Sequence, residues 1–272
     1  MATNIIDRRR INGPQRSVEP LYAQSGAAAA DPFARGRADE RALDQVRPIF
    51  IKTGPLAAQP AEHEALSSAS AASGTAFYEQ GKIRISCAVY GPRQGRRSNA
   101  RAGSFDCDFR YAPFACSWKR RSHVRGADEK EISLILEHAV APAIRLEAYP
   151  KACIDAFVTV IESDGKAATI AAAINCISAA LADAGIEMYD SVAACSMGLA
   201  GARWVADCAQ PEEDAALCSM LIAYMPGADE ITYILQHGKT TPEQTDQAVQ
   251  TCTDMCARVY AVICRYLQSS LE

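Results

Sequence analysis

Residues 154–185 read IDAFVTVIESDGKAATIAAAINCISAALADAG. Ile154, Ala156, Val158 and Val160 fall on alternate positions, the period of a strand with one buried face. Asp164-Gly165 is a turn. Beyond it Ile170, Ile174, Ile177 and Leu181 recur every three or four residues, the spacing of a helix face, and Gly185 supplies the helix stop. The segment is strand, turn, helix, stop. A turn that feeds a helix N-terminus is a natural anion site, because free backbone N–H groups and the helix dipole point at the ligand. Holding phosphate also requires close backbone approach, a hydroxyl and a cation. Lys166, Ala167 and Ala168 follow the turn. The frame of a phosphate grip is present, without the hydroxyl and the arginine that would complete it.

The same reading extends outward in both directions. Thr75–Tyr78 and Lys82–Tyr90 flank Gln80-Gly81, which predicts a hairpin, with Gly91-Pro92 ending its second strand. Phe105, Cys107, Phe109 and Tyr111 alternate as a further strand. Asp128 to Glu131 reads as an N-cap with a capping-box glutamate, opening a helix through Ile132, Ile135, Leu136, Ala139, Val140 and Ile144. Pro142 marks a kink or a late turn of that helix. Strands are expected at Val192–Met197, Arg203–Asp207, Met220–Met225 and Ile231–Gln236. Thr241-Pro242-Glu243-Gln244 supplies an N-cap, a proline at the first helical position and a capping-box glutamine for a helix to about Leu267. The fold class is α+β: mixed sheets backed by helices, in two blocks sharing one core. Residues 1–45 lack sustained periodicity and are expected to form an extension, surface-bound or partly disordered.

The chain has 272 residues, 49% of them hydrophobic, enough for a sizeable core. No uncharged apolar run long enough for a membrane span stands out, and the N-terminal stretch lacks the apolar centre of a secretory signal. Eleven cysteines, an odd count scattered on apolar faces, read as reduced core thiols of a cytosolic or nuclear protein. No metal site is expected, since Cys252 and Cys256 have no second pair at suitable spacing. No cofactor is expected either, since no glycine-rich dinucleotide or P-loop motif follows a strand. His63, His123, His138 and His237 make no catalytic pattern with a cysteine or serine.

The net charge of −4 conceals an asymmetry. Residues 93–125 carry nine basic residues against two acids, and residues 126–272 carry eight against twenty-one. Arg93, Arg96, Arg97 and Arg101 belong to a Gly/Ser/Asn-spaced loop; Lys119, Arg120, Arg121 and Arg125 follow the next strand. Arginines on loops suit phosphate contacts without sequence readout, and Trp118 beside Lys119 is a candidate stacking platform. A solvated face or a protein interface is the plainer reading of both clusters.

Taken together, GTAFYEQGKIRISCAVYGPRQ (74–94), FDCDFRYAPFA (105–115), YPKACIDAFVTVIESDG (149–165), NCISAALADAGIEMYDSVAACSMG (175–198), ADCAQPEED (206–214) and IAYMPGADEIT (222–232) resemble the ribonuclease PH family. No single motif is specific; their order and spacing from about Val46 to the C-terminus carry the likeness. The resemblance implies a ribonuclease PH fold of two βαβα-like halves (ribosomal protein S5 domain 2-like), here residues 46–190 and 191–272. It implies 3′-end RNA processing by phosphorolysis in a six-membered ring. Arg47-Pro48-Ile49-Phe50-Ile51 and the long N-terminal extension are most similar to ring subunits of the eukaryotic RNA exosome. That kinship implies paralogous ring neighbours, cap subunits with RNA-binding domains, an associated exoribonuclease, single-stranded RNA and no membrane. It also implies residence in nucleus, nucleolus and cytoplasm.

Active relatives place a Gly, a Ser or Thr and an Arg after the Asp-Gly turn, where this chain has Lys166, Ala167 and Ala168. They place a second aspartate six residues beyond the one matching Asp214. The residues here are Cys218, Ser219 and Met220, none a carboxylate, and Glu212 and Glu213 read as turn residues. The expectation is a degenerate site at Lys166, Ala167, Ala168, Asp214 and Ser219 with no catalytic residue. RNA contact falls to Arg93, Arg96, Arg97, Arg101, Lys119, Arg120 and Arg121. An active phosphorolytic exoribonuclease and a protein-docking scaffold without RNA contact are the alternatives.

Overall fold

The computed structural model describes residues 37, 39–54, 72–94, 101–117, 120–201 and 203–271. The extension up to residue 36, Arg96, Arg97, Trp118, Lys119 and most of the 62–73 segment lie outside the described residues. Five strands form a first sheet: β1 (Ile49–Thr53), β2 (Gly74–Gln80), β3 (Ile83–Gln94), β4 (Ser104–Tyr111) and β5 (Ala152–Glu162), in the order β1-β2-β3-β5-β4. The β2–β3 hairpin turns through Gly81 at φ +60, as the sequence predicts. β4 runs parallel to β5, and the connection between them carries helix α1 (Ala127–Val140). Helix α2 (Lys166–Asp183) follows β5. A second sheet holds β6 (Ala193–Ala200), β7 (Arg203–Ala206), β8 (Cys218–Met225) and β9 (Glu230–Gly238), in the order β7-β6-β8-β9. It is antiparallel throughout rather than mixed. Short helix α3 (Gln210–Ala215) links β7 to β8, and α4 (Pro242–Leu271) ends the fold.

Helix α2 organises the core. It packs on β2 and β3 on one side and on β6 and β8 on the other. Every residue from Ala168 to Leu181 is buried, Thr169, Asn175 and Ser178 included. The expected single face at Ile170, Ile174, Ile177 and Leu181 is therefore too narrow; a helix between two sheets buries its whole circumference. Its alanines let both sheets approach closely. Length and composition alone would let this helix cross a membrane, but it lies mostly inside the protein, as core helices do. Both sheets and helices α1, α2 and α4 contribute to one continuous apolar core. On α4, Ala248, Cys252, Met255, Cys256, Val259 and Ile263 are buried at three- and four-residue spacing, facing β6 and β8. All eleven cysteines are free thiols.

Two local expectations change. Pairing of β3 with β5 does not stop at Gly91-Pro92; it shifts register and resumes at Arg93 opposite Cys153. A bulge absorbs the missing proline N–H. Helix α1 is capped by Gly126, with Glu129 rather than Glu131 folding back to accept the Gly126 N–H at 2.8 Å. Glu129 also accepts the Tyr111 N–H at 3.0 Å, tying α1 to β4. At Gly74 the absent side chain makes room for a helix end: a Cβ there would lie 2.3 Å from Ala184 N and 2.4 Å from Ala180 O.

Candidate functional site

Strand β5 delivers the Asp164-Gly165 turn to the mouth of a cleft of about 650 Å³. Arg121, Lys166, Asp214, Ser219 and His237 are among its lining residues. Lys166, Asp214 and Ser219, which sequence reasoning grouped as one degenerate site, do meet here. Ala167 lines a small adjoining recess with Ser219 and His237, and Ala168 is buried in the core. Of the residues that offered themselves opposite Asp214, Cys218 and Ser219 line the cleft, whereas Met220 is core. The other carboxylates on the wall are Asp128, which pairs with Arg121 at 3.4 Å, and Glu213.

The turn is bound on all sides. Asp164 receives the Arg47 guanidinium on one oxygen at 2.8 Å and the Gln210 N–H on the other at 3.0 Å. Gly165, at φ +97, donates its N–H to Gln210 Oε1 at 3.1 Å. Thr169 bridges Ser163 and the Gly165 carbonyl through its hydroxyl. Glu213 Oε1 accepts the Ala167 N–H at 3.2 Å, so a carboxylate from α3 stands at the α2 N-terminus. Burial pushes the Glu213 carboxyl above its ordinary range despite that hydrogen bond.

Helix α3 is held there by its own neighbours. Glu212 caps it by accepting the Ala209 N–H at 3.0 Å. Arg37 grips Glu212 at both oxygens, at 3.0 and 2.9 Å, and Arg47 grips Asp207 at 2.9 and 2.6 Å. Glu212 and Glu213 are thus contact residues rather than spare turn acids. Nothing in their local sequence signals it, because Arg37 lies 175 residues from Glu212.

The structure divides the basic residues between two places. Arg93 pairs beside Cys153 at the start of β5, its guanidinium 4.6 Å over the Tyr90 ring. Exposed Arg101 precedes β4 at the same end. Arg120 and Arg121 follow Cys116, which bridges to Ser163 at the far end of β5. By strand rise the two ends are roughly 30 Å apart. Arg121 stacks over Tyr111 at 4.8 Å and lines the cleft. Arg125 is drawn away to Asp108 at 3.1 Å. Among the described residues, Asp106, Cys153 and Asp155 bring metal-ligand atom types within 4.8 Å. The Cys153 thiol donates to both carboxylates at 3.2 Å, and burial with those contacts pushes it up to about 12.

A five-stranded and a four-stranded sheet on either side of one helix, with this cleft at the helix N-terminus, define a ribonuclease PH-type protein. The 3′ exoribonuclease family, domain 1, matches residues 45–187, and the chain belongs to this family. It is 35% identical to exosome complex component MTR3 of Homo sapiens, covering 94% of this chain and 93% of that protein. Its identity to the corresponding component of Schizosaccharomyces pombe is 34%, covering 90% of each. With exosome complex component Rrp41 of Cenarchaeum symbiosum it shares 32% identity, over 83% of this chain and 88% of that one. The crystal structure of rice Rrp46 superposes with a TM-score of 0.73 at 22% identity, over 85% of this chain and 100% of that one, a likeness of fold.

Proposed function

We propose that this chain is a noncatalytic ring subunit of an RNA exosome. Residues 46–190 and 191–272 form its two ribonuclease PH halves, and paralogous subunits complete a six-membered barrel. Cap subunits with RNA-binding domains and an associated exoribonuclease are its further partners, in nucleus, nucleolus and cytoplasm. Relatives at 34–35% identity over most of the chain carry the name of exosome components, which supports the assembly. The observation that carries the noncatalytic reading is the cleft itself. Its turn offers Lys166, Ala167 and Ala168, its helix end holds Glu213, and Ser219 faces it where a second acid would be needed.

Phosphorolysis needs a phosphate nucleophile held in line with the last phosphodiester. Losing one preorganised charge contact costs about 10²–10³ in rate, and here the clamp and one acid are both replaced. Purified chain incubated with 3′-labelled RNA, phosphate and Mg²⁺ is expected to release no nucleoside diphosphate. Phosphate-dependent release that disappears in Asp214→Ala would falsify the reading.

RNA contact is assigned to Arg93, Arg96, Arg97 and Arg101, and to Lys119, Arg120 and Arg121. Replacing Arg96 and Arg97 with Glu is expected to weaken RNA binding by the assembled ring. The slope of log affinity against log salt should become shallower by about 0.7 per lost phosphate contact. Filter binding across a salt series measures both; an unchanged affinity and slope removes these arginines from the RNA path.

A further inference from the structure

The N-terminus of α2 presents N–H groups with no partner inside the helix, and its dipole favours an anion. In this chain the anion is supplied from within. Glu213 Oε1 accepts the Ala167 N–H, and Glu213 Oε2 is buried with no hydrogen-bond partner among the described residues. A Cβ on Gly165 would come within 2.6 Å of that oxygen, so the glycine is the space into which the carboxylate fits.

The orientation of Glu213 has a mechanical source. Successive residues on a helix point about 100° apart. Arg37 fixes Glu212 on one side of α3, which turns Glu213 towards α2. Arg37 also donates to the Asp207 carbonyl at 2.9 Å, binding the strap of Arg37 and residues 39–47 to the loop before α3, and to the Ala42 carbonyl at 3.2 Å within the strap itself. The strap is fastened again at Arg47, through Asp207 and Asp164. The chain from Arg37 to Glu213 is thus a continuous set of contacts ending at the helix N-terminus.

We propose that Arg37, Glu212 and Glu213 form an internal latch: the strap holds the Glu213 carboxylate at the α2 N-terminus and so excludes inorganic phosphate from the cleft. Removing the carboxylate opens the position to a phosphate bound by α2 backbone N–H groups, with Lys166 and Arg121 on the cleft wall. The latch depends on the noncatalytic reading only for where it lies; it is tested by anion binding and not by RNA cleavage.

The test titrates inorganic phosphate into full-length wild type, Glu213→Ala and Glu213→Gln, by calorimetry and by the shift in melting temperature, with chloride at matched ionic strength as control. Wild type is expected to show no saturable binding. Glu213→Ala is expected to bind phosphate at least about tenfold more tightly than wild type, since the competing charge at the helix end is gone. Adding Lys166→Ala should reverse part of the gain. Glu213→Gln keeps side-chain size and loses the charge, and is expected to fall between. Phosphate binding by both variants no better than wild type overturns the latch and leaves the noncatalytic reading standing. Phosphate binding accompanied by RNA phosphorolysis in Glu213→Ala upholds the latch and confines the noncatalytic reading to the latched chain. If Glu213→Ala does not fold, Glu213→Gln decides: binding no tighter than wild type overturns the proposal.

Discussion

Replacing Arg47 with methionine is expected to lower the unfolding free energy by about 3–5 kcal/mol, the cost of removing one side of a buried ion pair. Arg47 donates to both oxygens of Asp207 and to Asp164, and the Arg47 and Asp207 side chains are 5% and 2% exposed. Methionine fills the volume and leaves Asp207 charged away from solvent. Asp207 also sits at φ +47, where its carboxylate receives the Arg47 backbone N–H at 2.8 Å, so the loop conformation depends on the same contact. Arg41, 3.5 Å from Asp207, offsets part of the loss. The effect carries a pH signature. Burial alone would push the Asp207 carboxyl up; the hydrogen bonds and charge of Arg47 outweigh it and hold the group below its ordinary range. A depressed carboxylate contributes stability that is present above its unfolded pKa, about 3.9, and lost as pH falls through the folded value. The gap between wild type and Arg47→Met should therefore be widest near neutrality and narrow below about pH 4. Urea unfolding at pH 7 and at pH 3.5 measures it. A gap under about 1 kcal/mol at neutral pH, the range of an exposed pair, contradicts the account.

The same arginine shows where sequence reading reaches its limit. The strand, turn and helix of residues 154–185 are local, and their periodicity puts them on the page without a structure. The β2–β3 hairpin and the Thr241 cap of α4 are equally local; Gln244 and Thr241 do exchange hydrogen bonds. Strand β1 is not legible, because five residues with Ile51 as their single buried position give no usable alternation. Gly91-Pro92 misleads for a physical reason: proline removes one ladder donor, and the sheet answers with a register shift rather than an end. At the site, Lys166, Ala167 and Ala168 after the Asp164-Gly165 turn are visible in order along the chain. The carboxylate that stands at the helix N-terminus is not visible. Its position depends on Arg37, Arg47, Asp207 and Glu212, brought together from both ends of the sequence. The basic segment illustrates the converse. It is one cluster in sequence, yet among the described residues β4 separates Arg93 and Arg101 from Arg120 and Arg121, at opposite ends of β5.

Asn175→Leu is expected to cost at least about 2 kcal/mol, because it strips the Ala194 N–H and carbonyl of their side-chain partner, at about 1–3 kcal/mol for each buried group left unpaired. Strand β7 covers β6 only from Met197 to Ala200. At Ala194 that side of β6 is open, and the Asn175 amide takes the place of a neighbouring strand: Oδ1 accepts the Ala194 N–H at 2.8 Å and Nδ2 donates to the Ala194 carbonyl at 3.0 Å. Nδ2 also donates to the Tyr78 hydroxyl at 3.3 Å, and that hydroxyl donates to Gln80. One side chain on α2 thereby joins β6 of the second sheet to β2 of the first. Leucine keeps the volume and the helix propensity, so the loss reports hydrogen bonding rather than packing. Asn175→Asp separates the donor from the acceptor. Its ionised carboxylate accepts from Ala194 N–H but faces the Ala194 carbonyl with no proton, whereas its neutral form restores a donor. It should therefore be more damaging at pH 7 than at pH 4.5, the same direction as Arg47→Met. Unfolding within about 0.5 kcal/mol of wild type for Asn175→Leu would mean that the second sheet does not need this clasp. It would then be the apolar girdle of Ile170, Ile174, Ile177 and Leu181 alone that holds the two halves on one helix.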